Sequence, residues 1–486
     1  MGIRKSLFHS ALGRYGDIAL SFLGVIVTTR LLTPREIGIF TISFSVVMIA
    51  ETLRNFGIGN YLVQENELTT TRVRTAGGVA LLFGCGVAVC LVAASGLIAD
   101  FYNEPAMQHV IWILALNFIL VPIGSPSMAL LRREMRFDLL AIVQIAASSS
   151  RLIVSVALVL LGASFFSMAW AAVAASFVSI LALVLMRAPH VTTTPSLQEW
   201  RRVFKVGSAY TITSILNQVG ALLPDLILGR TLSLDAVAYY SRANRVIAIF
   251  TNGVVGAVDG VLQPSFASVN RTSPASLKPS LLGATTILTG VSWPFLTFTA
   301  IFAAPTVRFL FGPQWGQSGP VLTIICLAMA LYFFMFNSRS LIIGLGLVKQ
   351  MFQIELVVQT IWLGLLLFGA QHGLQTVAWC YVGAQAVFVL AHILMLRTQL
   401  QLTLRELFRS VRESLLVTLA CGMVALMCNH IFAFDGLSLF WQLPLAGLIF
   451  SAAWLCSVFL FRHKLAAELL HLTAVAKKKL FAGRSA

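Results

Sequence analysis

Charge is scarce in this sequence: Asp, Glu, Lys and Arg together make up 11% of its 486 residues. Hydrophobic residues make up 58%, and the mean hydropathy is +0.88. Because soluble domains carry about 25% charged residues and about half apolar ones, this composition excludes an ordinary soluble protein. Long apolar runs satisfy their own backbone groups in a membrane by forming α-helices. We therefore predict an all-α polytopic membrane protein.

Sets of residues that could carry covalent or metal chemistry are also lacking. The seven cysteines lie inside apolar runs, and the eight histidines are scattered along the chain. Their spacing resembles neither a metal site nor a disulfide framework. Segments between apolar runs do not exceed about 20 residues, which leaves no room for a folded soluble domain. We predict a transporter rather than an enzyme, with no metal and no cofactor.

Acidic residues are few, and the formal net charge is +16. In a soluble chain this excess would indicate a nucleic-acid partner. Here most of it falls in short segments between apolar runs, which is the positive-inside pattern of membrane proteins. If the N-terminus is inside, the cytoplasmic segments hold about 24 of the 34 Lys and Arg residues, and the outside loops hold about three. We predict cytoplasmic termini and no nucleic-acid partner.

The apolar runs are numerous and similar in length. A helix that spans a membrane needs about 20 mostly apolar residues. By that rule the sequence predicts about fourteen spans, near residues 9–31, 37–60, 76–98, 108–131, 139–161, 167–187, 206–229, 236–262, 279–303, 320–345, 353–371, 376–397, 411–433 and 440–462.

A short turn recurs about 200 residues apart: the residues from Arg30 to Thr33 resemble those from Arg230 to Ser233. Six predicted spans precede the basic segment 188–205, and six more follow it. This arrangement predicts two parallel repeats. We predict an N-terminal six-helix lobe at 1–205, a C-terminal six-helix lobe at 206–400, and two further helices with a basic cytoplasmic tail at 401–486.

Some charged residues fall within the predicted spans, where each costs roughly 2.5–3.5 kcal/mol on insertion scales. They are the arginines Arg14, Arg30, Arg54, Arg151, Arg242, Arg245 and Arg339, and the acids Asp17, Glu51, Asp225, Asp259 and Glu355. Arginine is in excess, and its planar guanidinium suits phosphate. We predict a central, water-filled cationic cavity that takes a large anionic head group, with a phosphate or diphosphate.

The spacing of these residues divides them into candidates for two roles. The substrate-binding candidates are Arg14, Arg54, Arg151, Arg242, Arg245, Arg339, Gln218 and Asn252. The candidates for ion pairing or for coupling to an ion are Asp17, Glu51, Asp225 and Asp259. The alternative is a purely structural role, in which all of them form interhelical ion pairs or reach the membrane interface from helix ends. We favour this structural role for Arg30 and Arg230.

Depth along the helices suggests which charges meet. Arg14, Asp17, Glu51 and Arg54 fall in the inner half of the first lobe, which predicts one ion cluster there. Asp225 is expected to meet Arg242 and Arg245 near the outside. Arg151 and Arg339 lie well inside their helices with no acid of evident matching depth, so for these two we favour a functional role.

Four segments carry a resemblance to a known family: Arg30–Phe40, Leu131–Phe137, Leu228–Tyr240 and Phe311–Trp315. They resemble the corresponding loops of the polysaccharide-transporter (Wzx-type) flippases, of the multidrug/oligosaccharidyl-lipid/polysaccharide exporter superfamily. The resemblance implies two six-helix lobes around a cationic cavity, often with two further helices.

The resemblance also implies a function. These flippases of the bacterial inner membrane move undecaprenyl-diphosphate-linked oligosaccharides from the cytoplasmic to the periplasmic leaflet. The transported oligosaccharides are used in O-antigen (lipopolysaccharide), capsule or exopolysaccharide assembly, where a polymerase or export machinery is an expected partner. Family arginines associated with the diphosphate occupy places similar to Arg14, Arg54 and Arg245. Asp225 resembles the acids that couple related exporters to H⁺ or Na⁺.

Three other functions compete with this one. An ion-coupled multidrug exporter on the same fold would want a net acidic cavity, and the surplus of arginine argues against it. A membrane polymerase or acyltransferase usually needs a large outside loop or clustered His and acids, which the sequence does not offer. A peptidoglycan-precursor flippase is the nearest alternative in substrate chemistry.

Overall fold

A computed structural model describes residues 3–55, 62, 65, 67–188, 195–198, 200, 218–434 and 438–471. The side chains of 3–12, 55, 254–257, 259–260, 432–434 and 439 fall outside that description. Within these ranges the chain forms helices and turns, and no strand. The chain divides into two compact units, Met1–Ser241 and Arg242–Ala486.

Long α-helices joined by short turns make up both units. In the first unit they are α1 (Ile3–Leu31), α2 (Pro34–Asn55), α3 (Thr70–Tyr102), α4 (Ala106–Ala115), α5 (Asn117–Arg133), α6 (Phe137–Leu160), α7 (Phe166–Leu185), α8 (218–231) and the start of α9 (Leu234–Thr272). In the second they are the rest of α9, α10 (Leu277–Ile301), α11 (Ala303–Phe311), α12 (Ser318–Gly344), α13 (Val348–Gly369), α14 (Leu374–Leu400), α15 (Leu404–Phe434), α16 (Leu439–Leu460) and α17 (464–471). Single 3₁₀ turns lie at Pro274–Ser276 and Pro313–Trp315.

Among the described residues, eleven helical segments are long and apolar enough to cross a membrane. They match eleven of the fourteen predicted spans, which confirms an all-α polytopic membrane protein. The fourth predicted span consists of two helices, α4 and α5, joined at Leu116. The other three predicted spans fall on α1, α8 and α9, and the start of the seventh lies outside the described residues. Fourteen crossings remain a prediction.

The first unit contains a close helix pair, α1 against α6. A Cβ on Gly13 would lie 2.9 Å from the Cα of Ala141, and one on Gly16 would lie 3.4 Å from the side chain of Ile145. Small residues let membrane helices approach this closely, and the approach adds dispersion contacts along both backbones. The pairing fixes the polar residues of α1 and α6 relative to one another.

Gly13→Ala is expected to lower the thermal midpoint of the purified protein by several degrees, because overpacking against a backbone atom costs about 1–3 kcal/mol. Gly86→Ala is the matched control, since a Cβ on Gly86 would meet nothing within 4 Å. Alanine there should be neutral or stabilising, as helix propensity favours it by about 1 kcal/mol. Thermal unfolding in detergent measures both midpoints, and equal shifts would contradict the close approach.

In the second unit, a buried polar network joins α10, α15 and the turn after α16. His463 Nδ1 accepts from the backbone N–H of Leu465 at 3.1 Å, so its Nε2 carries the proton and donates to Ser414 Oγ at 3.0 Å. Thr289 Oγ1 donates to the same hydroxyl at 2.9 Å. Burial, and then the charge of Lys464, lower the pKa of His463 to about 4. This imidazole therefore stays neutral, and it fixes the C-terminal helix pair to α10.

Candidate functional site

A polar seam runs along the α1–α6 pair, which we call the α1–α6 seam and define as Arg14, Asp17, Ser21, Gln144, Ser148 and Arg151. Asp17 accepts hydrogen bonds from Ser148 Oγ, from Ser21 Oγ at 3.4 Å and from Gln144 Nε2 at 3.4 Å. Because one carboxylate is held from both helices, it fixes their register. On each helix these polar residues recur every three or four positions in the sequence, and the structure brings the two stripes together.

Arg151 lies one helical turn beyond Ser148 and is exposed. Among the residues that the structure describes, its guanidinium forms no hydrogen bond and no ion pair. An arginine in this position on a membrane-spanning helix is costly in lipid, and it is stable where it meets water or an anionic ligand. Arg14, at the other end of the seam, is also exposed.

A cavity of about 480 Å³ lies beside α6, one of the two helices of the seam, and is lined by α5, α6 and α7. Its lining is apolar and includes Leu120, Val154 and Phe177. A charged head group would lose its hydrogen bonds there, which costs several kcal/mol. The cavity is therefore not a site for a phosphate, in contrast to the exposed arginines.

Glu51 and Arg54 form an ion pair within α2. Arg54 is only 3% exposed, donates from Nη1 to the carbonyl of Asn117 at 3.3 Å and lies 5.3 Å from the centre of the Phe118 ring. These contacts attach α2 to the start of α5. The predicted four-residue ion cluster is replaced by two groups with different neighbours, because Asp17 is bound to α6 and Arg54 to α5. Burial of Arg54 favours the structural alternative for this residue.

Asp225 on α8 accepts a hydrogen bond from Ser45 Oγ of α2 at 3.1 Å. Tyr102 at the end of α3 donates to the carbonyl of Leu226 at 3.1 Å. Two glycines allow this packing, and we call their surroundings the glycine crossing: Gly38, Ile42, Gly229 and Leu234. A Cβ on Gly38 would lie 2.1 Å from the carbonyl oxygen of Leu234, and one on Gly229 would lie 2.2 Å from Ile42 Cδ1.

The sequence did not predict this crossing. The hydrogen bond from Ser45 of α2 gives Asp225 a partner that the sequence did not indicate. The expected contact of Asp225 with Arg242 and Arg245 remains a prediction. The signal that could have found it is a glycine near each of the two related turns, Gly38 after the first and Gly229 before the second. Through them α2 contacts α8 and the start of α9.

The second unit holds all but one of the remaining candidates. Arg242 on α9 is 3% exposed and lies 5.9 Å from the centre of the Trp315 ring, so it packs in the interior. Arg245 and Asn252 lie further along α9 and are exposed. Gln218, the first described residue of α8 in the other unit, is half-buried. The side chain of Asp259 lies outside the described residues.

Arg339 on α12 pairs with Glu355 on α13, with 3.8 Å between Nε and Oε1. The expectation that Arg339 has no acid at matching depth was wrong, because α12 and α13 are consecutive antiparallel helices and both residues lie near their shared turn. Arg339 still has 47% of its side chain exposed. His392 on α14 is buried nearby, with Nδ1 2.9 Å from the carbonyl of Phe388. Sequence reasoning treated His392 as one of several scattered histidines.

Arg339→Glu and Glu355→Arg are each expected to lower the thermal midpoint by about 3–5 °C, and the double exchange should restore most of it, because a partly exposed pair contributes up to about 1 kcal/mol while like charges repel. Differential scanning fluorimetry of the purified variants measures this. If the double exchange were as unstable as the sum of the single ones, the pair would not exist in the membrane protein. Transport by the double exchange should stay low, since the exposed part of Arg339 would be lost.

Four of the predicted binding arginines are exposed. Arg151 and Arg339 lie on helices that are long and apolar enough to cross a membrane, and Arg14 and Arg245 lie on α1 and α9, whose crossings are predicted. Bidentate guanidinium groups bind phosphate oxygens through charge-assisted hydrogen bonds. Each unit therefore exposes arginines whose chemistry suits an anionic ligand.

Residues 27–320 match the protein family described as "Polysaccharide biosynthesis protein". The chain belongs to this family. It is 25% identical over 382 residues to the teichuronic acid biosynthesis protein TuaB of Bacillus subtilis (strain 168), which covers 78% of this chain and 79% of TuaB. It is 27% identical over 340 residues to the succinoglycan biosynthesis transport protein ExoT of Rhizobium meliloti (strain 1021), covering 67% of this chain and 66% of ExoT.

Among solved structures, the chain is similar to the lipid II flippase MurJ in an inward closed conformation. The TM-score is 0.74 with 12% sequence identity, and the match covers 95% of this chain and 100% of MurJ. At this identity the similarity concerns the fold. It agrees with the fold that the sequence resemblance implied.

Proposed function

We propose that this protein is a flippase that moves an undecaprenyl-diphosphate-linked oligosaccharide from the cytoplasmic to the periplasmic leaflet, for O-antigen, capsule or exopolysaccharide assembly. The observation that carries the proposal is the exposed guanidinium of Arg151 on a membrane-spanning helix. It lies one helical turn beyond Ser148, whose hydroxyl donates to Asp17, and that carboxylate already accepts hydrogen bonds from two helices. The membership in a polysaccharide biosynthesis family supplies the class of substrate.

The substrate chemistry follows from what arginine binds. Transfer of a sugar diphosphate across a lipid core is slow because the charges lose their hydration. Arg14, Arg151, Arg245 and Arg339 replace part of that hydration with charge-assisted hydrogen bonds. The prenyl tail needs no such replacement, since it stays in lipid. TuaB is named for teichuronic acid biosynthesis and ExoT for succinoglycan biosynthesis and transport, which supports a lipid-linked sugar as the cargo.

We propose alternating access as the mechanism: the predicted central cationic cavity opens to one side of the membrane, takes the head group, and then opens to the other. No covalent step is needed. With both termini cytoplasmic and an interior-negative membrane, export of two negative charges is favoured by about 2.3 kcal/mol per charge per 100 mV. Asp225 is the candidate for coupling to H⁺ or Na⁺, and the bacterial inner membrane is the proposed location.

The family membership makes two alternative functions less favoured than this proposal. A multidrug exporter of cations would need carboxylates where the described part of the chain exposes arginines. A peptidoglycan-precursor flippase carries the same diphosphate, so only the sugar distinguishes it. The transport machinery of a polysaccharide pathway, including its polymerase, would be a partner of the first function and not of the others.

Reconstitution of the full chain into vesicles tests the proposal. The flux of three cargoes is compared: an undecaprenyl-diphosphate-linked oligosaccharide, a peptidoglycan precursor, and a lipophilic cation. We expect the lipid-linked oligosaccharide to cross at least tenfold faster than in protein-free vesicles, and the cation not to cross faster at all. Accelerated flux of the cation alone would overturn the proposal, and a preference for the peptidoglycan precursor would assign the protein to that pathway.

A further inference from the structure

The exposed face of α15 changes its chemistry along its length. Arg405, Arg409 and Arg412 are all exposed, and at 100° per residue they fall within an arc of about 60°. The same arc continues with Leu419 and Met423, which are also exposed. A helix face that exposes apolar residues over many turns in a membrane protein contacts acyl chains. The three arginines therefore stand at the end of a face that contacts lipid.

The length of α15 places these arginines at the level of the head groups. Its 31 residues extend about 46 Å at 1.5 Å per residue, whereas the hydrocarbon core is about 30 Å thick. The 20 residues from Leu415 to Phe434 extend about 30 Å and are long enough to span that core. The first three turns, which carry the arginines, then lie in the head-group region.

Within the described residues, the charge of the three arginines is not compensated by acidic partners. None of them forms an ion pair or a hydrogen bond in the part of the chain that the structure describes. Glu406 is held by Lys278 Nζ at 2.7 Å and by the backbone N–H of Thr403 at 2.9 Å. Glu406 and Glu413 lie about 80–100° around the helix from Arg405, on the flank of the stripe.

Apolar side chains flank the arginines on the opposite side. Phe408 is 66% exposed, and Leu404 and Leu415 are exposed on the same flank. Basic residues that alternate with exposed aromatic and aliphatic ones are typical of segments that lie at the surface of anionic membranes. An acidic protein partner would explain the arginines but not the continuous apolar face below them.

We propose that Arg405, Arg409 and Arg412 form a binding site for the head group of an anionic phospholipid. The guanidinium groups bind the phosphate, while Phe408 and Leu415 contact the upper part of the acyl chains. The ligand is a phospholipid of the surrounding bilayer and not the transported lipid. The site rests on the geometry of α15 and does not depend on the proposed function.

Native mass spectrometry of the full chain, released from nanodiscs that contain equal amounts of phosphatidylglycerol and phosphatidylcholine, tests the site. The wild type should retain phosphatidylglycerol in preference to phosphatidylcholine. The triple variant R405Q/R409Q/R412Q should retain at least fivefold less of it. The control R132Q/R136Q/R397Q removes the same charge from scattered exposed positions and should change retention less than twofold.

Two measurements on the wild type do not depend on the folding of any variant. Retention of phosphatidylglycerol should fall as salt is raised, because head-group contacts at the interface are screened. Bound phosphatidylglycerol should not be displaced by an equimolar amount of a lipid-linked sugar diphosphate. Equal retention of the two phospholipids, equal loss in the triple variant and the control, or displacement by the sugar diphosphate would each overturn the proposal.

Discussion

Arg151→Ala is expected to reduce transport of a lipid-linked sugar diphosphate by at least tenfold. A hydrogen bond to a charged group contributes about 1.5–3 kcal/mol, which corresponds to a factor of about 10 to 100. Arg151→Lys keeps the charge but loses the planar fork, so its rate should lie between those of the wild type and the alanine variant. The measurement is flux of the labelled lipid-linked oligosaccharide into reconstituted vesicles.

The matched control for Arg151 is Ile153→Ala, a substitution on the same helix at a side chain that is 65% exposed. It removes a similar exposed bulk without removing charge, and transport should stay within about twofold of the wild type. Both variants should keep the thermal midpoint of the wild type, since neither side chain is buried. Normal transport by Arg151→Ala would remove the residue from the binding site.

Gly38→Ala is expected to abolish most transport and to lower the thermal midpoint, because its new methyl group would lie 2.1 Å from the carbonyl oxygen of Leu234. Carbon atoms need about 3.5 Å from their non-bonded neighbours, so the start of α9 would have to move by more than 1 Å. We expect at least a tenfold loss of transport. Vesicle flux and thermal unfolding of the same preparation measure the two effects.

Gly229→Ala at the same crossing offers a sharper test, because its Cβ would meet a side-chain atom, Cδ1 of Ile42, at 2.2 Å. Ile42→Val removes that atom. The double variant G229A/I42V should therefore recover much of the thermal midpoint that G229A loses, while I42V should not rescue G38A, whose conflict is with backbone. Equal rescue of both, or of neither, would contradict the geometry of the glycine crossing.

Contacts within one helix were predictable from the sequence, whereas contacts between helices mostly were not. Glu51 and Arg54 are three residues apart, so the helical period alone places them on one face, and they form an ion pair. Arg339 and Glu355 are sixteen residues apart on antiparallel helices, and only a count of residues from the shared turn would have matched their depth. Helical periodicity carries no direct information about such pairs.

In the candidate site, too, the sequence predicted what lies within one helix and missed the contacts between helices. Polar stripes on α1 and α6 were visible in the sequence as residues repeated every three or four positions. That Asp17 would bind Ser148 rather than an arginine depends on the close packing of α1 and α6 through Gly13 and Gly16, which no composition reveals. The burial of Arg54 and Arg242 likewise results from packing against Phe118 and Trp315, so two of the predicted binding arginines lie in the interior.

The accessibility of position 151 to water tests the central claim most directly. In a variant whose seven native cysteines are replaced, Arg151→Cys is treated with a negatively charged methanethiosulfonate reagent, with Ile153→Cys as the control on the same helix. We predict that the thiol at 151 reacts, that an undecaprenyl-diphosphate-linked oligosaccharide slows the reaction at least fivefold, and that the thiol at 153 does not react. A thiol at 151 that reacts only with a lipid-soluble maleimide would contradict the account, because its side chain would then face acyl chains.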